Sequence, residues 1–197
     1  MRQREATIDR RTAETQILLK LQLEGGEVSV ETGVGFLDHM LELFARHGHM
    51  GLQVTCRGDV QVDDHHSVED IGISLGLALA QAVGDKRGIH RYGSMLLPMD
   101  EALALVALDL SGRACLEMDC SFPTEKIGTF DTQLVEEFFL GMTRSAGMTL
   151  HIRKLAGRNS HHIAEAVFKG LGHALCEAVS MDERWHGQVP SSKGVLA

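Results

Sequence analysis

The sequence predicts an α+β fold built from two duplicated halves. Two adjacent histidines, followed after two residues by glutamate, occur at residues 65–69 and again 96 residues later at 161–165. In both halves strand-like segments precede helix-like apolar runs, which is typical of helices packed on one side of a sheet. No linker rich in Pro, Gly or Ser separates the halves, and 197 residues with 44% hydrophobic content suffice for one compact domain. We therefore expect two mixed β-sheets, each with two helices packed on one face.

The first half, residues 1–90, is predicted to hold three strands and two helices. A hairpin is expected around the turn signal Gly25-Gly26. The apolar residues of the first helix recur near helical spacing, and Gly48 follows as a stop. The predicted strands are 15–23, 28–32 and 52–56, and the predicted helices are 36–45 and 68–83.

The second half, residues 91–187, repeats this order, and residues 188–197 form a tail. The predicted strands are 102–110, 114–118 and 148–153, and the predicted helices are 132–146 and 161–179. Aligning the two halves gives His39 the counterpart Glu137, at a shift of 98 residues against 96 for the histidine doublets. A change of one or two residues in a loop accounts for that difference.

Composition excludes several classes of function. The net charge of -8 and the pI near 5.7 argue against nucleic acid or an anionic membrane as main partner, because both attract basic surfaces. The four cysteines form no C-x-x-C pair and do not resemble a disulfide framework. There is neither an apolar signal core nor a run of about 20 apolar residues that would span a bilayer. We expect a cytoplasmic protein that binds a small molecule.

The repeated pattern has the spacing of metal ligands. Residues four apart share a helix face and residues three apart nearly do, so Glu69 can converge on one ion with His65 or His66. Adjacent histidines point about 100° apart on a helix, so each doublet suits two ions better than one. The alternative is that the doublets are solvated or capping features of helix starts. Two doublets with matched glutamates favour two metal ions, each bridging the repeats.

Imidazole and carboxylate ligands without thiolate favour manganese, iron, cobalt, nickel or zinc, and a preference for six ligands would point to manganese. The predicted ligands are His39, His65, His66, Glu69, Glu137, His161, His162 and Glu165.

Five motifs occur in order along nearly the whole chain. They are residues 35–40 (GFLDHM), 65–70 (HHSVED), 98–101 (PMDE), 160–166 (SHHIAEA) and 190–194 (PSSKG). With these motifs the chain closely resembles the imidazoleglycerol-phosphate dehydratase family of histidine biosynthesis. The resemblance implies a duplicated α+β fold, a pair of manganese ions, and a homo-oligomer of 24 subunits with active sites where subunits meet.

One position departs from the family pattern. Several family members carry a histidine ligand where this chain has Glu137. A carboxylate can also bind manganese. The neighbouring Glu136 is the alternative ligand, and a third reading places both acids on an exposed helix face.

The resemblance implies the dehydration of imidazole glycerol phosphate to imidazole acetol phosphate. The proton to be removed has no neighbouring carbonyl, so another source of electrons must expel hydroxide. Two metal ions on the ring nitrogens would act as Lewis acids and hold the substrate as imidazolate. The electrons of the imidazolate ring could then expel the hydroxide. Loss of the hydroxyl next to the ring would give a diazafulvene-like intermediate, then an enol that becomes the ketone.

The resemblance also assigns roles to single residues. Glu14 matches a family residue that acts as acid and base and contacts the substrate. Glu69 and Glu165 are also predicted to be catalytic, and His39 is predicted to bind the substrate. Asp100 and Glu101 belong to a family motif for which the sequence gives no physical role. The side chains that match the family's phosphate site are Arg91, Arg113, Ser192 and Lys193.

Two other functions compete. A dinuclear metallohydrolase would use paired ions to activate water, but the ligands here are rich in histidine and lack an obvious bridging aspartate. A metal-storing or metal-sensing cage needs no phosphate clamp, so the residues that match the phosphate site argue against it.

Overall fold

The computed structural model describes residues 4–194 and 196, so residues 1–3 of the first half and residues 195 and 197 of the tail lie outside the described part. The strands are β1 Glu5–Arg11, β2 Thr15–Gln22, β3 Val28–Glu31, β4 Gly51–Gly58, β5 Tyr92–Met99, β6 Ala102–Asp109, β7 Cys115–Asp119, β8 Lys126–Ile127, β9 Phe130–Asp131 and β10 Thr149–Ala156. The helices are α1 Gly35–His47, α2 His65–Val83, α3 Leu134–Ala146 and α4 Ser160–Val179, followed by a 3-10 turn at Glu183–Trp185.

Two four-stranded sheets have the same topology. The first has the order β1-β2-β4-β3 and the second β5-β6-β10-β7. In each sheet the last strand is parallel to its neighbour and the other pairs are antiparallel. The second half adds the small β8–β9 hairpin before its first helix and the 3-10 turn after its last helix. This identity of order and direction confirms the predicted duplicated α+β fold with mixed sheets.

The predicted hairpin around Gly25-Gly26 is wrong. Strand β4 lies between β2 and β3, antiparallel to the first and parallel to the second. A two-glycine signal marks a turn but does not decide which strands pair. Here β3 and β4 are joined through α1, because parallel neighbours need a crossover connection.

The structure also contains strands that the sequence did not predict, namely the short β8 and β9 and the longer β1 and β5. Strand β1 alternates buried and exposed residues, but three of its four outward positions are charged and only two of its residues are apolar, so the sequence gives a weak strand signal. Strand β5 carries Pro98, which reads as a strand breaker. Both are edge strands, where a proline can be accommodated and charge is common.

The four helices form two layers between the two sheets. Helices α1 and α2 cover the first sheet, and α3 and α4 cover the second, which confirms the prediction of helices on one face. Between the layers α1 packs against α4 and α2 against α3. The first helix of each half thus contacts the second helix of the other half. The core around α3 and α4 is aromatic, with the rings of Phe138, Phe139 and Phe168 at centroid distances of 5.0 to 5.3 Å.

Glycine permits the close approach of α2 and α3. A Cβ at Gly72 would lie 2.4 Å from the carbonyl oxygen of Phe138, and one at Gly141 would lie 2.9 Å from that of Glu69. No side chain fits in that space. In the described part of the chain, none of the helices has the length and apolar character needed to cross a membrane.

Candidate metal centre and active site

The first turns of α4 carry a cluster of metal-ligand side chains. His161 Nε2 lies 3.1 Å from Glu165 Oε1, and His39 on α1 places its Nε2 2.9 Å from the same oxygen. Within residues 4–194 and 196, these three form the one group of three or more His, Cys, Asp or Glu whose ligand atoms all lie within 4.8 Å of each other. Two imidazoles and a carboxylate at this spacing fit one divalent ion. Both halves of the chain contribute to the group.

Glu165 is held as a carboxylate at the base of this cluster. Its side chain is buried, and Lys169 Nζ donates a 2.7 Å hydrogen bond to its other oxygen. Burial raises the pKa of Glu165, but hydrogen bonds from Lys169, His39 and His161 outweigh burial and lower the pKa to about 2. A deprotonated carboxylate that faces two imidazoles is the form that binds a cation.

The second histidine of the doublet is oriented by Glu101. His162 Nδ1 lies 2.8 Å from Glu101 Oε2, and its Nε2 lies 3.8 Å from Asp100 Oδ2. The hydrogen bond to Glu101 raises the pKa of His162, and the same bond, with the backbone N–H of Asn159, lowers the pKa of Glu101 to about 2. Asp100 and Glu101 form the turn between β5 and β6, and Asp100 has a positive φ of 49°. This contact supplies the physical role for Glu101 that the sequence did not reveal.

The first doublet has a parallel arrangement at the start of α2. His65 Nε2 lies 3.9 Å from Glu69 Oε2, one turn further on, as in the second doublet but more loosely. His66 Nδ1 lies 3.0 Å from Asp59 Oδ2, and this hydrogen bond raises the pKa of His66. Glu14 Oε1 lies 3.7 Å from His66 Nε2, so the predicted acid/base residue reaches the first doublet.

The turn between β1 and β2 positions Glu14. Thr12 Oγ1 accepts hydrogen bonds from the backbone N–H of Glu14 and Thr15, at 3.1 and 2.9 Å. Thr15 Oγ1 donates to the buried carboxylate of Asp70 at 2.5 Å, and Arg10 donates to it at 2.7 Å. The side chain of Glu14 is 51% exposed, so its backbone is fixed while its carboxylate faces solvent.

The crossed packing of the helices decides which ligands meet. His39 belongs to the first half but reaches the second doublet because α1 packs on α4. By the same pattern Glu137 lies on α3, which packs on the helix of the first doublet. Gly141, one turn after Glu137, contacts the backbone of Glu69. Glu137 is half-buried and Glu136 is exposed.

The eight predicted ligands do not form one site within the chain. In the described residues, the ligand atoms of His65, His66 and Glu69 lie outside the group formed by His39, His161 and Glu165. The chain therefore presents two separate sets of candidate ligands, one at the start of each doublet helix.

Arg91 uses three of its side-chain N–H groups for hydrogen bonds within the chain. Its guanidinium donates to both oxygens of Asp109, at 2.7 and 3.0 Å, and to the carbonyl oxygen of Pro190 at 2.9 Å. The hydrogen bond to Asp109 raises the pKa of Arg91, and the side chain is only 11% exposed. Arg91 thus fixes the segment that leads to Ser192 and Lys193.

The other residues that match the phosphate site are exposed. Arg113 follows Gly112, whose φ of 87° allows a tight turn after Ser111. This turn does not join neighbouring strands, because β10 lies between β6 and β7. Ser192 and Lys193 lie on the surface in a turn near the end of the described chain, in which Lys193 N–H donates to Ser191 Oγ. Their positions leave them available to an anionic ligand.

Three side chains that contact the predicted ligands had no role predicted from the sequence: Asp59, Glu101 and Lys169. Lys169 follows Glu165 by four residues on the same helix, so helical spacing could have identified this ion pair. Glu101 lies 61 residues before His162, and only the fold brings these two residues together.

The chain is similar to known proteins over its whole length. The sequence pattern of the family described as imidazoleglycerol-phosphate dehydratase matches residues 32–175. An imidazoleglycerol-phosphate dehydratase from Desulforamulus reducens is 57% identical over 197 residues, which cover 100% of both chains. Another, from Methylorubrum extorquens, is 56% identical over 194 residues, which cover 98% of this chain and 100% of the relative.

Solved structures agree with this similarity. Imidazoleglycerol-phosphate dehydratase from Staphylococcus aureus superposes with a TM-score of 0.83 at 42% identity, over 90% of this chain and 99% of that one. The enzyme from Pyrococcus furiosus, solved in complex with (S)-C348, gives 0.84 at 39% identity, over 96% of this chain and 100% of that one.

Proposed function

Because this chain belongs to the imidazoleglycerol-phosphate dehydratase family, and is therefore a hydro-lyase of histidine biosynthesis, we propose that it converts imidazole glycerol phosphate to imidazole acetol phosphate with two divalent metal ions. The proposal that metal ions take part is supported by His39, His161 and Glu165, whose ligand atoms all lie within 4.8 Å of one another. The small phosphorylated imidazole is the substrate class on which this family acts.

The residues present fit divalent ions at both doublets. His39, His161 and Glu165 would hold one ion, and His65, His66 and Glu69 offer a second set of the same chemistry, with Glu137 on the adjoining helix. Nitrogen and oxygen donors without thiolate suit manganese, which we propose as the native metal. When bound, the ions would act as Lewis acids on the imidazole ring of the substrate.

Neighbouring copies of the chain would complete the site. Each chain presents two separate ligand sets, and an ion that needs about six ligands is not saturated by three protein donors. We therefore propose that sets from different subunits meet in a closed homo-oligomer, of 24 subunits as the family resemblance implies. The four cysteines are unpaired, which supports a reducing, cytoplasmic setting.

Glu14 would transfer the proton. Its carboxylate stands 3.7 Å from His66 Nε2 and faces solvent, so it can approach a substrate held at the first doublet. It would accept the proton from the carbon next to the one that loses hydroxide, and it would later return a proton to form the ketone. The anchored turn beneath it fixes the direction of approach.

Cationic groups would hold the phosphate at the other end of the substrate. Arg113 and Lys193 are exposed and can supply charge-assisted hydrogen bonds. Ser192 would add a hydroxyl, while Arg91 keeps the segment that carries Ser192 and Lys193 in place. Two of the five guanidinium N–H groups of Arg91 remain for a phosphate oxygen after these contacts.

The test is removal and return of metal. Purified protein dialysed against a chelator should lose dehydration of imidazole glycerol phosphate, and manganese should restore it at a stoichiometry of two ions per chain. Light scattering before and after dialysis reports whether assembly depends on the ions. Full activity after complete removal of metal would refute the proposal. Release of phosphate from generic phosphate esters by the reloaded protein would instead favour a metallohydrolase.

A further inference from the structure

Each histidine doublet has a carboxylate on the Nδ1 atom of its second histidine. Asp59 Oδ2 lies 3.0 Å from His66 Nδ1, and Glu101 Oε2 lies 2.8 Å from His162 Nδ1. A neutral imidazole carries one N–H and one acceptor nitrogen, and the hydrogen bond made by one nitrogen selects the form of the ring. A carboxylate at Nδ1 accepts the proton of that atom and leaves the Nε2 lone pair free.

From this symmetry we infer that Asp59 and Glu101 are positioning residues, which fix the tautomer and ring orientation of His66 and His162 so that Nε2 binds the metal ion. The inference rests on the proposed function, because it assigns the two carboxylates to the metal centre. Each carboxylate would act through its histidine rather than bind the ion or the substrate itself.

The two carboxylates are not equivalent by duplication. Asp59 directly follows β4, whereas Glu101 lies in the turn between β5 and β6. The strand that corresponds to β4 is β10, and it is followed by Gly157, which has no side chain. The halves thus reach the same Nδ1 contact from different places in the fold. Because residues from non-equivalent positions make the same contact, duplication of the chain does not explain it. A need to orient the two histidines does.

Both carboxylates are held rigidly enough to orient a ring. Glu101 Oε1 accepts hydrogen bonds from the backbone N–H of Arg158 and Asn159, at 3.2 and 2.8 Å, just before α4 begins. Its other oxygen is left for His162. Asp59 presents both oxygens to His66 Nδ1, at 3.0 and 3.2 Å, from a turn closed by the backbone bond from Val62.

Glu101→Gln tests the inference with little disturbance of the backbone. The amide oxygen can keep the two backbone N–H donors, and the amide NH₂ then faces His162 Nδ1 as a donor. That reversal favours the His162 tautomer with hydrogen on Nε2, which cannot bind metal. We expect manganese affinity to fall by about 10- to 100-fold, as is typical for loss of such a partner. The affinity is measured from the free Mn²⁺ signal in electron paramagnetic resonance titrations of the assembled protein.

A double-mutant cycle separates positioning from general damage. If Glu101 acts through His162, the variant E101Q/H162N should bind manganese no more weakly than H162N alone. Asp59→Ala with H66N provides an independent cycle in the other half. D119N is the matched control, since it removes one negative charge from an exposed ion pair between β7 and β10, and its manganese affinity should be unchanged.

The outcomes distinguish this inference from the proposed function. If the unsubstituted protein binds no divalent metal, the metal centre itself is wrong and the inference falls with it. If the unsubstituted protein binds manganese but E101Q and D59A bind it equally well, or if the effects of E101Q and H162N simply add, the inference alone is overturned.

Discussion

Asp70→Asn should both weaken the fold and misplace Glu14. The carboxylate of Asp70 is buried at the start of α2, and it connects that helix to the β1–β2 turn. Arg10 donates to it through Nε and a terminal nitrogen at 3.1 and 2.7 Å, and Thr15 Oγ1 donates at 2.5 Å. Asparagine has nearly the same shape but no charge, so Arg10 loses its counter-ion.

The expected loss follows from the exposure of the two partners. Removing one partner of a fully buried ion pair costs about 3–5 kcal/mol. The side chain of Arg10 remains 31% exposed and can be partly solvated, and asparagine still offers an acceptor to Thr15. We therefore expect the free energy of unfolding to fall by about 2–3 kcal/mol. For a chain of this size that lowers Tm by about 4–12 °C.

The assay compares Asp70→Asn with Asp9→Asn in metal-free protein. Asp9 forms an ion pair with Arg11 on the same strand, but its side chain is 54% exposed, so its loss should leave the free energy of unfolding nearly unchanged. Thermal and urea unfolding give the stability. Steady-state kinetics of the variants after reloading with manganese should show kcat reduced by about 10- to 100-fold in Asp70→Asn, because the anchor of the Glu14 turn is weakened, while manganese affinity is retained. Equal stability of the two variants would refute the reasoning.

Three other substitutions test the site. Glu14→Gln should keep manganese and substrate binding while kcat falls by about 10²- to 10⁴-fold; a normal turnover number would place the proton transfer elsewhere. Arg113→Ala should raise KM by about tenfold or more with a smaller change in kcat, since it removes a charge-assisted contact to the phosphate, and an unchanged KM would remove Arg113 from the phosphate site. The pKa of Glu165 is lowered from 4.5 to about 2 in the folded chain, so its contribution to stability is complete above pH 4.5 and is lost as pH falls toward 2. Urea midpoints of metal-free Glu165→Gln should therefore decline less steeply over this pH range than those of the unsubstituted protein, and parallel curves would contradict the assignment.

The sequence was most informative where spacing is local. Helical periodicity predicted all four helices to within a few residues at each end, and the four-residue spacing placed His161 with Glu165 and His65 with Glu69. Strand pairing was less accessible, because a turn signal at Gly25-Gly26 does not show that β4 separates the two flanking strands. The charged outward face of β1 and the proline of β5 likewise concealed two edge strands.

By itself the sequence determined the duplicated α+β fold and the family, and it predicted the types of residue that would bind metal, since these depend on residue identity and short spacings. Only the tertiary structure decided that His39 meets Glu165 across 126 residues and that Glu101 meets His162 across 61. These contacts arise because α1 packs on α4 of the other half and because the β5–β6 turn lies against the start of α4. Such juxtapositions depend on how layers pack, and hydrophobic periodicity specifies which face of a helix is buried but not which helix covers it.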